Sequence, residues 1–401
     1  MKKEASLKSD HLKNLENGEN FNKIKCIDCI TGAYKELDMR KARTDHAIIS
    51  QREVKNLPFV GPGLIDLQVN GINGIDFNIP SLTSQDLVSA AYYLLSKGVT
   101  TFFPTIVTNS DRNILKMVHT IHEACEAHSM LQACVGGIHL EGPFISPVIG
   151  AKGAHDEKYI KAPDWELFNR FQRAAGGRIK LVTLSPEWEG AFEFIEKCRK
   201  DGIMVAIGHS IANSEQISQA VKAGARLSTH LGNGVPLMLP RHPNIIWDQL
   251  AADELYACII GDGLHVPDSF TNVVMKIKGD HTILVSDATC FAGMLPGEYE
   301  NHIGGTIILD EKKRVSLKST PGLLAGAGKS LLENIEYFLN SKLSVLGEAW
   351  KLASVNVIKM LKQNIGEDSL NTKDDLVMFH INGDKIEVVR AIKNGLIVFK
   401  Q

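Results

Sequence analysis

Long apolar runs are missing from this chain. No stretch of roughly 18 or more apolar residues occurs, so the sequence predicts no membrane-spanning helix. The charged start MKKEASLKSDHLKNLENGEN has no apolar segment behind it and reads as a polar, solvated tail over residues 1–20. An excess of either charge is also missing. The 44 Lys and Arg stand against 46 Asp and Glu, a net charge of −2, which offers no basic field for nucleic acid or an anionic membrane. Cysteines number seven, an odd and scattered set that suits a reducing cytoplasm better than a disulfide framework. Cys26 and Cys29 have C-x-x-C spacing, but no second pair follows to close a zinc ribbon, so both read as small buried side chains.

What is present is a repeated alternation. The 401 residues exceed the roughly 250–300 at which one core stops growing, which predicts a large domain with a smaller one. Eight apolar, β-branched runs (59–67, 99–104, 134–140, 180–184, 203–208, 225–229, 257–261 and 282–286) are separated by segments with helical spacing, such as 84–97, 111–128 and 213–223. Eight strands alternating with helices predict a (β/α)8 barrel of the TIM type. A doubly wound sheet would more often have five or six strands, and no G-x-G-x-x-G follows the first run. Residues 21–58 and 366–401 are strand-rich without that alternation, and Asn382-Gly383 and Asn394-Gly395 suit hairpin turns. Both ends are therefore expected to form one small discontinuous β-sandwich domain. The barrel would occupy 59–365, with a helical pair at about 329–341 and 347–363 making the connection.

Active sites of such barrels lie at the C-terminal ends of the strands. Polar residues follow nearly every run: Asp66, Gln68 and Asn70; His139 and Glu141; His209; His230 and Asn233; Asp262 and His265; Asp287. Metal-ligand types at the same end of several strands predict a metal site. Glu141, His209 and His230 would leave a tetrahedral ion with an open position for water, the ligand count of a catalytic zinc. Asp287 would act as general base, although a helix cap is its structural alternative. His155, in the loop after Glu141, could polarise a carbonyl or be a simple surface histidine. Gly328-Lys329-Ser330 resembles the end of a phosphate-binding P-loop, but the glycine required at 323 is Leu323; nucleotide binding is rejected there and Leu324–Gly326 is read as part of a βα loop.

With these residues in view, the chain resembles the N-acetylglucosamine-6-phosphate deacetylases of the amidohydrolase superfamily. The resemblance rests on PGLIDLQVNGINGIDFN (62–78), HLEGPFI (139–145), KGAH (152–155), GHSIA (208–212), THLGNGVP (229–236), DGLHV (262–266), SDA (286–288) and LLAG (323–326). It implies a metal-dependent barrel with a small β domain, one divalent ion on Glu141, His209 and His230, and Asp287 as catalytic acid/base. It implies that His155 contacts the acetyl carbonyl, that Ala154, Asn233, Gly234, Asp262, His265, Leu324, Ala325 and Gly326 line the sugar site, and that Arg241 meets the phosphate. A cytoplasmic homodimer whose partner completes the phosphate site is also implied. Gln68 and Asn70 stand where many amidohydrolases carry His-x-His; amides are poor ligands, so a single ion, zinc foremost, is expected. Gly232 and Gly234 replace an aromatic residue and an alanine, and the loop over 232–256 is unlike the family's, which leaves open an unphosphorylated N-acetyl sugar, another N-acyl amine or a cyclic amide as substrate. A catalytically dead binding barrel would be expected to have lost a ligand or the base, and all four residues are present.

Overall fold

The computed structural model describes residues 23–38, 43–46, 57–301, 305–366 and 372–401. The expected polar tail lies outside the described residues. Eight parallel strands occur in chain order: β1 (Leu64–Val69), β2 (Val99–Val107), β3 (Ile138–Glu141), β4 (Ile179–Leu184), β5 (Met204–Ile207), β6 (Leu227–Ser228), β7 (Tyr256–Ile260) and β8 (Thr282–Val285). Each pairs with the next. Closure between β8 and β1 uses little ladder. Instead Asn70 N donates to Ala288 O at 2.7 Å, and Ser286 N donates to the Asp66 carboxylate at 3.1 Å. Asp66 is fully buried, and burial pushes its carboxyl up to about 7.

Alternate residues of the strands fill the barrel with Ile65, Leu67, Phe103, Leu181, Met204, Ile260 and Ile283, and Val357, Met360 and Leu361 pack against the same core. The outer helices start on side-chain caps close behind the strand-end loops. Thr83 with Asp86 and Asn213 with Gln216 form capping boxes at Ser84–Ser96 and Ser214–Ala223. The box of Ser330 with Glu333 opens helix Leu331–Asn340, so the sequence that imitates a P-loop is a helix N-terminus.

Three details differ from the sequence reading. The first run divides at Gly63, where a Cβ would lie 2.0 Å from Thr100 Oγ1. Phe59–Pro62, before it, pairs with Ile24–Asp28 and Leu376–Asn382 in the small β unit. The second connecting helix is two helices, Leu346–Leu352 and Val355–Ile365. Finally, Gly297–Asn301, Gly305–Leu309, Arg314–Leu317 and Thr320–Ala327 form a four-stranded antiparallel sheet after β8. Leu324–Gly326 therefore lie on a strand, correcting the βα-loop reading; Asp310, which caps the tight turn before Arg314, sets that hairpin.

The small β unit joins strands of both ends in a continuous seven-stranded order: 396–400, 385–393, 376–382, 59–62, 24–28, 34–38, 43–46. Cys26, Leu37, Val60, Met378 and Ile392 form its core. The seven cysteines are free, and burial pushes the Cys26 and Cys29 thiols up. Among the described residues, no helix is long and apolar enough to cross a membrane.

Candidate active site

Glu141 ends β3, His209 follows β5 by two residues and His230 follows β6 by two, so three separate strands deliver them to one end of the barrel. Their donor atoms converge. Glu141 Oε1 lies 3.2 Å from His209 Nε2 and 3.1 Å from His230 Nε2, and the two Nε2 atoms are 3.1 Å apart. All three side chains are buried. His209 Nδ1 is 2.8 Å from the Ala151 carbonyl, an acceptor only, so Nδ1 carries the proton and the Nε2 lone pair faces the carboxylate. Three electron-pair donors aimed at one point suit a divalent cation. An ion with tetrahedral bonds of about 2.0–2.1 Å holds neighbouring donors roughly 3.3 Å apart, close to the spacing here. Burial alone would raise the Glu141 carboxyl, but hydrogen bonds and charge from His209 and His230 hold it well below its ordinary value. Burial would lower His230; the Glu141 and Asp287 carboxylates instead raise it. Glu141, His155 and His209 also have donor atoms within 4.8 Å of one another, so Glu141 and His209 are common to both possible triads.

The backbone is strained at these same positions. Seven non-glycine residues with positive φ are described, and three are His209 (52°), His230 (30°) and Asp287 (49°). Each left-handed conformation costs about 1–3 kcal/mol and persists where surrounding structure imposes it. Gly234, with φ 62°, lies against His209, where a Cβ would come within 3.0 Å of Nδ1. An alanine at this position would press its Cβ against the imidazole.

Around this centre, amides orient the carboxylates. Gln68 Nε2 donates to Glu141 Oε1 at 2.9 Å, and Asn70 Nδ2 donates to Asp287 Oδ1 at 2.7 Å. Burial, then the Glu141 charge, pushes the Asp287 carboxyl up to about 6, while His230, His265 and Asn70 oppose the shift. His155 stands edge-on to His209 with ring centroids 4.5 Å apart, and its Nδ1 is 2.8 Å from Thr108 Oγ1. Burial and then His209 push its pKa down to about 3, so it is neutral. His139, one of the strand-end candidates, is instead a buried structural residue, with Nε2 2.7 Å from Thr183 Oγ1 and Nδ1 3.2 Å from Leu67 O.

A cavity of about 880 Å³ opens over these groups. Asn70, Glu141, Ala154, His155, His209, His230, Asn233, Gly234, His265, Asp287, Leu324, Ala325 and Gly326 all line it, so most residues singled out in the sequence are brought together. Asp262 lies behind the wall, fully buried, where its Oδ2 is 2.7 Å from His265 Nδ1 and its Oδ1 accepts the N–H groups of Leu264 and His265. Arg241 is exposed and stands apart from the lining. Thr108, the Ala151 carbonyl and Arg314 were not found by sequence reasoning, and none carries a local signal that marks it.

The N-acetylglucosamine-6-phosphate deacetylase of Bacillus subtilis is 33% identical over 341 residues, spanning 84% of this chain and 84% of the relative. The chain belongs to the N-acetylglucosamine-6-phosphate deacetylase family. The Haemophilus influenzae member is 32% identical over 362 residues, 87% of this chain and 91% of that one. In solved structures, the Thermotoga maritima enzyme of the same name superposes with a TM-score of 0.77 at 26% identity, covering 95% of this chain and 99% of the other. No family model matches the chain.

Proposed function

We propose that this chain hydrolyses the N-acetyl amide of N-acetylglucosamine 6-phosphate to glucosamine 6-phosphate and acetate, using one zinc ion held by Glu141, His209 and His230. The convergence of three buried donor atoms beside the strained carboxylate Asp287 carries this reading. His230 is preferred to His155 as the third ligand because its Nε2 is within 3.1 Å of both other donors. A divalent ion bound there supplies Lewis acidity toward water and the acyl oxygen.

The protein's own groups perform the proton work. Asp287, as carboxylate, takes one proton from the attacking water while the hydroxyl bonds to the acetyl carbon. When the C–N bond breaks, the protonated Asp287 returns that proton to the nitrogen, so neutral amine and acetic acid form, and the acid's remaining proton then passes to the amine to leave acetate and an ammonium group. Asn70 keeps the carboxylate aimed during both transfers. If Thr108 donates to His155 Nδ1, the His155 proton sits on Nε2, ready to stabilise the acyl oxygen as charge develops. His155→Asn is expected to lower kcat by about 10²–10³-fold with metal content unchanged; an unaffected kcat would remove His155 from the reaction.

Acetate release from N-acetylglucosamine 6-phosphate and from N-acetylglucosamine, with metal content measured on the same sample, tests the whole reading. Strong preference for the phosphate and about one zinc per chain are expected. Turnover favouring the unphosphorylated sugar would support the alternative motivated by Gly232 and Gly234 in the cavity wall. Absence of metal-dependent turnover on either sugar would overturn the deacetylase reading.

The partner expected is a second copy of the chain. Ile149, Leu237 and Met238 are 73%, 77% and 87% exposed, and Gly150 lies directly against Leu237, so these apolar groups neighbour one another beside the cavity mouth. Light scattering should give a dimer mass, and a monomer mass would remove this assignment. Seven free thiols support a cytoplasmic location; recovery of the native protein outside the cytoplasm would contradict it.

A further inference from the structure

The side-chain amides that aim the two site carboxylates, Gln68 on Glu141 and Asn70 on Asp287, both come from the end of β1. One buried group stands behind them. Asp66 Oδ1, on the same strand, accepts from Gln68 N at 3.3 Å and from Ser286 N at 3.1 Å. Ser286 immediately precedes Asp287, whose left-handed backbone (φ 49°) persists only where its surroundings impose it. The Ser286 hydroxyl extends the clamp, donating to Gln68 O at 3.2 Å and accepting from Ala288 N at 3.0 Å. Ala288 O in turn accepts from Asn70 N at 2.7 Å and from Gly71 N at 3.1 Å. The residues on either side of Asp287 are thus tied to the strand that carries Gln68.

We propose that Asp66 is a positioning residue of this site, acting on Asp287 through Ser286 and on Glu141 through Gln68, an inference that rests on the acid/base role of Asp287 proposed above. Asp66 is fully buried and does not line the cavity, so it acts through other residues. Its Oδ2 is buried with no hydrogen-bond partner among the described residues. A half-satisfied buried carboxyl is costly. Closing the barrel does not by itself demand one, because the other neighbouring strands are joined by backbone ladders. What the carboxyl adds is a single acceptor atom that fixes two backbone N–H groups, one leading to the acid/base and one to a metal ligand.

The experiment uses the full-length, zinc-loaded protein. Asp66→Ala should lower kcat for N-acetylglucosamine 6-phosphate by about 10- to 100-fold with KM within about twofold. It should also weaken zinc binding, read by chelator competition, by about 10-fold. Asp66→Asn keeps the Oδ1 acceptor and mimics the neutral carboxyl, which burial favours, so it should recover most of both losses. In an Asp287→Asn background, Asp66→Ala should change kcat by less than about threefold, because the group it positions is gone. Ser286→Ala leaves Asp66 whole but cuts the hydroxyl clamp; it should lower kcat by about 10-fold and carries the test if Asp66→Ala does not fold. Wild-type kcat in folded Asp66→Ala or in Ser286→Ala would overturn the assignment, as would a fully additive loss in the Asp287→Asn background. Zinc binding weakened in Asp66→Ala and restored in Asp66→Asn, in a protein whose wild type deacetylates neither sugar, would support this assignment and overturn the proposed reaction.

Discussion

Replacing Asp287 by Asn is expected to lower kcat by about 10²–10⁴-fold while the protein retains its metal. The substitution is nearly isosteric, and the amide oxygen can still accept the hydrogen bond that Asn70 donates at 2.7 Å. What disappears is the capacity to hold a proton between water and the leaving nitrogen. Asp287 suits both halves of that task because burial and the nearby Glu141 charge raise its carboxyl to about 6, closer to the working range than an exposed aspartate. The donor atoms of Glu141, His209 and His230 are untouched, so elemental analysis should return the wild-type metal content. Near-wild-type turnover by this variant would exclude Asp287 as acid/base; lost activity together with lost metal would assign it to the metal site instead.

The second large effect is on stability, at the opposite end of the barrel. Lys393, in the small β unit, is buried and donates to Asp375 Oδ2 at 2.7 Å and to Thr101 Oγ1, in β2, at 2.8 Å. Asp375 also accepts from Asn394 N at 2.9 Å. Lys393→Met leaves a buried carboxylate without its cation and is expected to destabilise the protein by about 3–5 kcal/mol. Burial pushes the Asp375 carboxyl up despite the adjacent lysine, so desolvation outweighs the attraction at this carboxylate. Removing both charges in Lys393→Met/Asp375→Leu should therefore recover much of the loss. Denaturant unfolding monitored for the two variants checks this. A single variant as stable as wild type, or a double variant no better than the single, would contradict the account. Because the site is remote, kcat of the folded fraction should not change.

The barrel was legible because its order is written locally. Each strand is a short apolar run, each helix has three- and four-residue spacing, and capping pairs such as Thr83 with Asp86 mark the starts. The metal-binding candidates were legible for a related reason. A strand end is recognisable in sequence, and Glu141, His209, His230 and Asp287 each stand at one, so the barrel's geometry brings them together without further information. The division at Gly63 was hidden, since the close approach of Thr100 to that residue has no trace in the periodicity of 59–67.

By itself, then, the sequence determined the alternating fold, the absence of a broad charged field, and the chemical class of the strand-end residues. Tertiary structure decided that Thr108 and the Ala151 carbonyl orient the histidines, and that a four-stranded sheet forms part of the wall. It also decided how the small β unit is pinned to the barrel, through a lysine bonded to a threonine 292 positions away in the chain. The physical reason is the range of the interactions. Periodicity and capping act across a few residues, whereas burial, charge pairing and cavity lining depend on contacts between segments far apart in the sequence.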